Sequence, residues 1–319
     1  MHLLPGIGLL LAFAAPLHAQ QLLVTSRNGD AVLSFDASSG TFLGVFAAGA
    51  GLDNPVGLTF GPDGNLYVAS ALSHAVLRYH GTTGAILGSF ASGGGLSDPR
   101  QLNFGPDGNL YVSEASANSI LRFDGASGAP LGTFASGGNL DGPTSFTFGP
   151  DGDLYVGSVL NDRVKRYDGK TGAYLGNFAS TNLDAPHDVS FGPDGDLYVS
   201  NALLPRIQRF DGETGAFLGT FVLDGRLSAA LGLCWDDQGH LLVANQGRDE
   251  VLRYHGRTGA FLGVVVAPGS GGLSAPLFAA FAPAPVFRVQ PLLPSLAGLR
   301  NVLTISGATP GARLLLGIG

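Results

Sequence analysis

GPDGNLYVAS, residues 61–70, recurs along the chain at a nearly constant step. It returns as GPDGNLYVSE at 105–114, GPDGDLYVGS at 149–158 and GPDGDLYVSN at 192–201, and in weaker form as DDQGHLLVAN at 236–245. A second series of glycines keeps the same step of 43 or 44 residues and has six members: Gly40, Gly84, Gly128, Gly172, Gly215 and Gly259. The chain therefore holds six copies of one structural repeat.

Each copy contains four short apolar runs separated by turn residues, which is the pattern of strands rather than helices. In the third copy we predict strand A at QLNF (101–104), B at NLYVSE (109–114), C at SILRFD (119–124) and D at APLGTFA (129–135). In GPDG, proline presets φ, aspartate caps the turn and the last glycine accepts a positive φ. Four strands in about 44 residues are typical of one blade of a β-propeller, so six copies predict an all-β, six-bladed propeller.

The two ends of the repeat array predict how the ring closes. The array begins at a B strand, residues 22–26, and the sixth copy is followed by an A-like strand at 276–281. Six complete blades exist only if this last A strand joins the first B, C and D strands. Such a mixed blade would remove two exposed sheet edges, which otherwise favour aggregation.

Composition excludes several classes of protein. The chain has 319 residues, of which 45% are hydrophobic and 13% charged, so it can bury a large core and is not disordered. Its net charge of -7 repels phosphate backbones, and we expect no nucleic-acid partner. The 50 glycines are explained by two demanding turns in each copy.

The repeat resembles that of NHL-type propellers. The resemblance rests on PVGLTFGPDGNLYVAS (55–70), VLRY (76–79) and DGETGAFLG (211–219), and it extends over residues 21–283. It implies the propeller fold. It implies no single function, because NHL repeats occur in adaptors and in enzymes alike.

The regions outside the repeats give the predicted domain boundaries. Residues 1–19 form an uncharged apolar run ending in Leu-His-Ala, which we interpret as a signal peptide cleaved after Ala19, with an uncleaved anchor as the alternative. We therefore expect a secreted or periplasmic protein without a membrane span after cleavage. The propeller covers 20–283, a proline-rich linker 284–300, and a β-hairpin 301–319 that resembles the start of a truncated β-module.

Differences between the copies indicate where a site lies. The A–B and C–D turns hardly vary, whereas the B–C loops differ in chemistry and the D–A loops differ in length. In a propeller both variable sets surround the mouth of the central channel on one face, and variable loops on a rigid scaffold usually carry binding. We call this face the loop face.

Two positions in each copy are expected at the channel mouth. The residue after the start of strand A is, in turn, Val56, Arg100, Thr144, His187, Leu231 and Leu277. The residue that ends strand B is Ser26, Ser70, Glu114, Ser158, Asn201 and Asn245. We predict ligand-binding residues in the polar sector of the mouth: Arg100, Gln101, Glu114, Thr144, His187, Asp188, Asn201 and Asn245.

This polar sector has two interpretations. As an active site, it would use Glu114, His187 or Asp188 as the catalytic acid or base and Arg100 to bind an anion. As a structural feature, Arg100 would pair with Glu114, while His187 and Asp188 would bind loop amides. The residues favour the structural interpretation, because position alone supports the catalytic one.

Two propeller enzymes offer a metal-dependent alternative. PVGL (55–58) followed by GPDG (61–64) is similar to gluconolactonase-like propellers, and this resemblance implies a Ca²⁺ or Mg²⁺ site at the mouth. Virginiamycin B lyase, similar in blade type, implies magnesium held near histidines and a glutamate, but His187 is the only histidine placed in the ring. A metal needs several converging oxygen ligands, and only Glu114, Asp188, Asn201 and Asn245 are available.

We therefore predict no metal site and no cofactor. The favoured function is a non-catalytic binding scaffold that engages a protein, glycan or small ligand on the loop face. A metal-dependent hydrolase or lyase at the channel mouth is the alternative. The residues do not identify the ligand or the oligomeric state.

Overall fold

The computed structural model describes residues 20–283, together with the strands at 288–289 and 305–306. The predicted signal peptide, and the linker and hairpin apart from these four residues, lie outside the described residues. Of the described residues, those from 20 to Ala282 belong to one compact unit, and Pro283 with the strands at 288–289 and 305–306 belongs to a second. Within the described part of the chain, no helix is both long enough and apolar enough to cross a membrane.

The first unit consists of twenty-four strands arranged as six antiparallel sheets of four. In chain order the strands are β1 Gln21–Ser26, β2 Ala31–Asp36, β3 Phe42–Ala48, β4 Pro55–Phe60, β5 Leu66–Ser70, β6 Ala75–Tyr79, β7 Ile86–Ser92, β8 Pro99–Phe104, β9 Leu110–Glu114, β10 Ser119–Phe123, β11 Pro130–Ala135, β12 Pro143–Phe148, β13 Leu154–Ser158, β14 Arg163–Tyr167, β15 Tyr174–Ala179, β16 Pro186–Phe191, β17 Leu197–Asn201, β18 Arg206–Phe210, β19 Phe217–Leu223, β20 Ala230–Trp235, β21 Leu241–Asn245, β22 Glu250–Tyr254, β23 Phe261–Val266 and β24 Pro276–Phe281. Short 3₁₀ turns lie at Arg27–Gly29, Val159–Asn161, Gln246–Arg248 and Ser270–Gly272.

Five blades are continuous in sequence and one is mixed. Blades 2 to 6 are β4–β7, β8–β11, β12–β15, β16–β19 and β20–β23, and blade 1 has the order β24-β1-β2-β3. In the mixed blade, Leu22 pairs with Phe281 and Val24 with Ala279. The predicted six-bladed, all-β propeller and its closure by the last A strand are thus confirmed.

The innermost strands, β24, β4, β8, β12, β16 and β20, form the inner ring, and each contacts the next in that order. Every one of them carries a β-bulge near its first residues, as between Pro186 and Val189 of blade 5. A bulge inserts one residue without a partner across the strand pair and redirects the side chains beside it. The bulged residues of the six blades are the ones that surround the channel mouth.

On the face opposite the loop face, the GPDG turns bind side chains of their own blade and contribute to the contact with the next blade. In blade 2, the carboxylate of Asp63 accepts the amide of Asn65 at 3.0 Å and the hydroxyl of Tyr67 at 3.0 Å. The ring of Tyr67 is buried and meets Phe104 of blade 3 edge-on, with 5.0 Å between ring centroids. Blades 3, 4 and 5 repeat this contact, so a tyrosine and the next blade's aromatic residue seal each of these interfaces.

The second unit contributes one short strand pair. Strands β25 Arg288–Val289 and β26 Ile305–Ser306 are antiparallel. Ile305–Ser306 lies within the predicted hairpin 301–319, whereas its partner Arg288–Val289 lies within the predicted linker 284–300.

Candidate functional site

The residue that ends strand B plays the same structural role in all six blades. Its side chain accepts a hydrogen bond from a backbone amide of the D–A loop that leads into its own blade. The pairs are Ser26 with Ser274, Ser70 with Asp53, Glu114 with Ser97, Ser158 with Asp141, Asn201 with Asp184 and Asn245 with Ser228, at 2.7 to 3.0 Å. Since all six side chains are at most 1% exposed, this position anchors the loop beneath the mouth.

Glu114 differs from the other five anchors only in its charge. Its two carboxylate oxygens accept the amides of Ser97 and Asp98 at 2.7 to 2.9 Å. Arg100 pairs with Asp98, at 2.6 Å between Nη2 and Oδ2, and not with Glu114 as the sequence had suggested. The carboxylate of Glu114 is held beneath the loop by backbone donors, whereas Asp98 is a quarter exposed and within reach of Arg100.

The B–C loops fasten each blade to the next one. Asp30, Asn118, Asp162 and Asp249 each occupy the left-handed region and accept a backbone amide from the following blade's D–A loop. His74, also at positive φ, makes the corresponding contact through Nδ1 with the carbonyl of Ser97. Pro205 stands at this position in blade 5. The last residue of each B–C loop therefore has a structural role in these blades, and the residues before it are the ones that are free to vary.

Around the channel, large and small bulge residues alternate from blade to blade. Odd blades carry Phe278, Gln101 and Asp188, and even blades carry Gly57, Ser145 and Gly232. Behind each large residue, a hydroxyl of strand B accepts its backbone amide at 2.9 to 3.1 Å: Thr25, Ser113 and Ser200. The even blades have Ala69, Gly157 and Ala244 there. The six copies thus form a ring with approximate three-fold symmetry.

The small residues provide space that the large ones occupy. A Cβ at Gly57 would lie 2.8 Å from Cα of Gln101, and one at Gly232 would lie 2.9 Å from Cα of Phe278. No real Cβ sits so close to a backbone atom, so the two glycines are required by close approach. The sequence shows this alternation at the next-to-last residue of strand B, which is Ser or Thr in odd blades and Ala or Gly in even blades. Its structural consequence follows only from the closed ring, in which odd and even blades are neighbours.

Asp188 connects three neighbouring blades. Its carboxylate accepts the hydroxyl of Ser145 in blade 4, the amide of Val189 at 2.9 Å and the amide of Leu233 in blade 6 at 2.7 Å. The side chain is 4% exposed, and this burial raises its pKa to about 6 despite the hydrogen bonds, which act in the opposite direction. Its oxygens are engaged by the inner strands rather than directed at a ligand.

His187 lies beside Asp188 but on the mouth side of the channel. Its ring is 5.9 Å from that of Phe278, and its carbonyl accepts the hydroxyl of Thr144 at 2.7 Å. Burial, together with the charges of Arg100 and Arg27, lowers the pKa of the ring to about 3, so the imidazole is neutral at physiological pH. Arg27, on the B–C loop of blade 1, is a member of this cluster that the sequence did not identify.

The candidate residues thus separate into two groups. The first group lies on the inner ring and consists of Arg100, Gln101, Thr144 and His187. The charges of Arg27 and Asp98 lie near that of Arg100. Glu114, Asn201 and Asn245 are directed at loop amides, and Asp188 is directed at strand amides. Within residues 20–283, no three histidine, cysteine, aspartate or glutamate side chains are arranged to hold a metal ion.

Cys234 is a free thiol on the inner strand of blade 6. Burial, with smaller contributions from Asp188 and Asp236, raises its pKa to about 12. A thiol with such a pKa is protonated at neutral pH, so it is a poor nucleophile.

The loop face carries exposed leucines. Leu72, Leu160 and Leu203 occupy the B–C loops of blades 2, 4 and 5, and Leu223 ends β19 at the start of a D–A loop. They are 61% to 77% exposed, more than any other large apolar side chain described. We call these four residues the loop-face leucines. A second set, the outer leucines, lies on the D strands around the circumference: Leu43, Leu87, Leu131, Leu175, Leu218 and Leu262.

A cleft of about 600 Å³ on the opposite face lies between blades 4 and 5. Its lining is acidic, but Asp151 binds Arg166 at 2.7 Å and Asp194 binds Arg209 at 2.8 Å. Asp211 accepts the amide and hydroxyl of Thr214 within its own turn. These carboxylates are therefore engaged in turns and ion pairs of the scaffold.

The fold and the loop-built mouth define the chain as a six-bladed β-propeller. No family model matches it, and no curated protein matches it in sequence. Among solved structures, it is similar to a chain of a nidogen/laminin complex, with 15% identity, a TM-score of 0.69, and coverage of 82% of this chain and 98% of that one. A protein of unknown function from Bacteroides caccae gives 13% identity, a TM-score of 0.65, and coverage of 83% and 99%.

Two lyases share the fold less completely. Virginiamycin B lyase from Staphylococcus aureus gives 18% identity, a TM-score of 0.54, and coverage of 65% of this chain and 68% of that one. A streptogramin B lyase gives 19% identity, a TM-score of 0.56, and coverage of 69% and 70%. At these identities the similarity concerns the propeller fold and not the activity.

Proposed function

We propose that this chain is an exported, NHL-type propeller that binds a protein partner through its loop face and performs no catalysis there. The observation that carries the proposal is the set of loop-face leucines, which lie on the one face where the repeats differ. Exposed apolar side chains grouped on one face of a soluble protein are typical of interaction sites. A protein partner fits this surface better than a glycan, because four leucines offer no hydrogen bonds.

The hydrogen bonds and burial of the candidate catalytic side chains support the same proposal. Glu114 and Asp188 accept backbone amides, and the imidazole of His187 is neutral and largely buried. A general acid or base must reach the substrate, whereas Glu114 and Asp188 are committed to the scaffold, and an imidazole with a pKa of about 3 is a weak base. A propeller of similar fold takes part in the nidogen/laminin complex, so protein recognition is compatible with this architecture.

Selection from a random peptide display library against the immobilised propeller tests the proposal. Peptides enriched on the wild-type protein should lose at least about tenfold in affinity for the triple variant Leu160→Ser, Leu203→Ser, Leu223→Ser, because each buried leucine contributes about 1.5–3 kcal/mol. The matched control, Leu43→Ser, Leu131→Ser, Leu175→Ser, changes three outer leucines and should bind normally. Enriched peptides that bind both variants equally well would refute the loop face as the binding site.

A further inference from the structure

Arg27 of blade 1 and Arg100 of blade 3 both lie against blade 2, where Arg27 contacts Asn54 and the carbonyl of Arg100 packs beside Gly57. Arg27 follows β1 of blade 1, and its Nε donates to Oδ1 of Asn54 in blade 2 at 2.9 Å, so the side chain extends over the neighbouring blade. Arg100 lies on the inner strand of blade 3. Burial lowers the pKa of Arg27, and the nearby charge of Arg100 lowers it further. The fold thus keeps two like charges together in a partly buried place.

The two guanidinium groups share one carboxylate. Asp98 binds Arg100 at 2.6 Å and is the anion that partly offsets both guanidinium groups. Glu114 is turned toward the amides of residues 97 and 98, and His187 is neutral. Within the described residues, neither guanidinium group forms an ion pair with a second carboxylate.

Several donors of the cluster have no partner. In the hydrogen bonds of the described residues, Arg27 uses only Nε and Arg100 only Nη2. Nε of Arg100 and Nδ1 of His187 are inaccessible to solvent and unpaired within residues 20–283. Buried polar groups are paired in most proteins, so these two nitrogens remain available to a ligand.

We propose that Arg27 and Arg100 bind a carboxylate group at the channel mouth, beside the ring of His187. The guanidinium group is planar and presents parallel donors that match the two oxygens of a carboxylate. Asp98 repels a monoanion less than it would repel a phosphate dianion, so a carboxylate fits this cluster better.

This inference deepens the proposed function, and it rests on that proposal only for the source of the carboxylate. The group would belong to an acidic side chain of the protein partner or to a small organic acid. Both sources share the same chemistry at the two arginines.

Nuclear magnetic resonance of the propeller tests the site directly. Acetate is titrated at pH 7 and constant ionic strength, with sodium chloride as the reference salt, while the side-chain resonances of Arg27, Arg100 and His187 are followed. We expect a saturable shift of all three with acetate and none with chloride. Arg27→Gln and Arg100→Gln should each weaken binding at least about tenfold, because a charge-assisted pair is lost. Arg248→Gln, an arginine of the same face that donates to the carbonyl of Gly225, should bind as the wild type does.

Further measurements separate the possible outcomes. Arg27→Lys keeps the charge and should restore part of the affinity, while circular dichroism of each variant verifies folding.

If N-acetyl-leucyl-glutamyl-leucine amide binds more tightly than acetate, the carboxylate comes from a peptide; if it binds no better, the source is a small acid. Shifts that do not saturate, or that persist unchanged in the Arg27→Gln, Arg100→Gln double variant, overturn the site. Since the titration needs no partner protein, its failure is distinguishable from failure of the peptide selection.

Discussion

His187 and Asp188 are adjacent on β16, yet their environments shift their pKa values in opposite directions. Burial disfavours the charged form of each group, which lowers the pKa of the imidazole and raises that of the carboxyl. Arg27 and Arg100 add to the effect on His187 alone. At pH 7 the imidazole is therefore neutral, whereas Asp188, with a pKa of about 6, is mostly ionised and becomes neutral only below that pH.

The buried carboxyl of Asp188 makes stability depend on pH. Its pKa is about 6 in the folded state and 3.8 when unfolded, so the folded state binds more protons between these values. The contribution of Asp188 to the free energy of unfolding should fall by on the order of 3 kcal/mol as pH rises from 4 to 7. Urea unfolding of wild type and Asp188→Asn at pH 4, 5, 6 and 7 measures it as the difference between the two proteins.

The asparagine variant is the appropriate reference because it has similar shape and does not titrate. His187 and the remaining acids titrate in both proteins, so their effects largely cancel in the difference. A difference that stays constant between pH 4 and pH 7 would show that Asp188 does not carry this proton.

At the scale of the element, the GPDG turn and strand B depend on each other through one close contact. A Cβ on Gly61 would lie 2.5 Å from Cε2 of Tyr67 and 3.0 Å from Cε2 of Phe104. In blade 6, Asp236 replaces this glycine and Leu242 replaces the tyrosine. The residue before the turn proline is therefore glycine in the blades where the aromatic ring of strand B packs against that residue.

Substitution Gly61→Ala tests this dependence. We expect a loss of about 1–3 kcal/mol in the free energy of unfolding, because the buried ring of Tyr67 must move. The same substitution in the Tyr67→Leu background should cost less, since the closest contact is removed while the contact with Phe104 remains. Chemical denaturation of the four proteins gives the coupling energy of the cycle. Equal costs in the two backgrounds would contradict the close-contact explanation.

At the scale of the whole molecule, the ring depends on pairing between its two ends. β24 pairs with β1, and the hydroxyl of Thr25 donates to the carbonyl of Phe278 at 3.2 Å while accepting its amide at 3.1 Å. Without β24, strand β1 would be an exposed edge and the inner ring would lose one of its six strands. Unpaired edges of this kind favour association between chains.

Truncation measures the contribution of this closure. A chain of residues 20–275 should lose cooperative unfolding or aggregate, because blade 1 lacks its inner strand. A chain of residues 20–283 retains β24 and should unfold cooperatively. Differential scanning calorimetry with size-exclusion chromatography compares the two chains, and a soluble monomer of 20–275 with an unchanged melting temperature would refute the role of the closure.

The repeats by themselves determined the number of blades, the order of strands within a blade and the closure of the ring. Strands and turns depend on residues close in sequence, such as the Pro and Gly of GPDG, and the residue step of 43 or 44 carries that local pattern around the ring. The sequence also placed Arg100, Gln101, Thr144 and His187 on the inner ring correctly.

The tertiary structure alone decided which side chains meet. Arg27 belongs to a loop of blade 1 and Arg100 to a strand of blade 3, and only the closed ring places both beside blade 2. Glu114 lies within reach of amides 97 and 98, so Arg100 pairs with Asp98 instead. A hydrogen bond or ion pair requires donors and acceptors to lie within about 3 Å, a distance fixed by how the blades pack and not by the residue types.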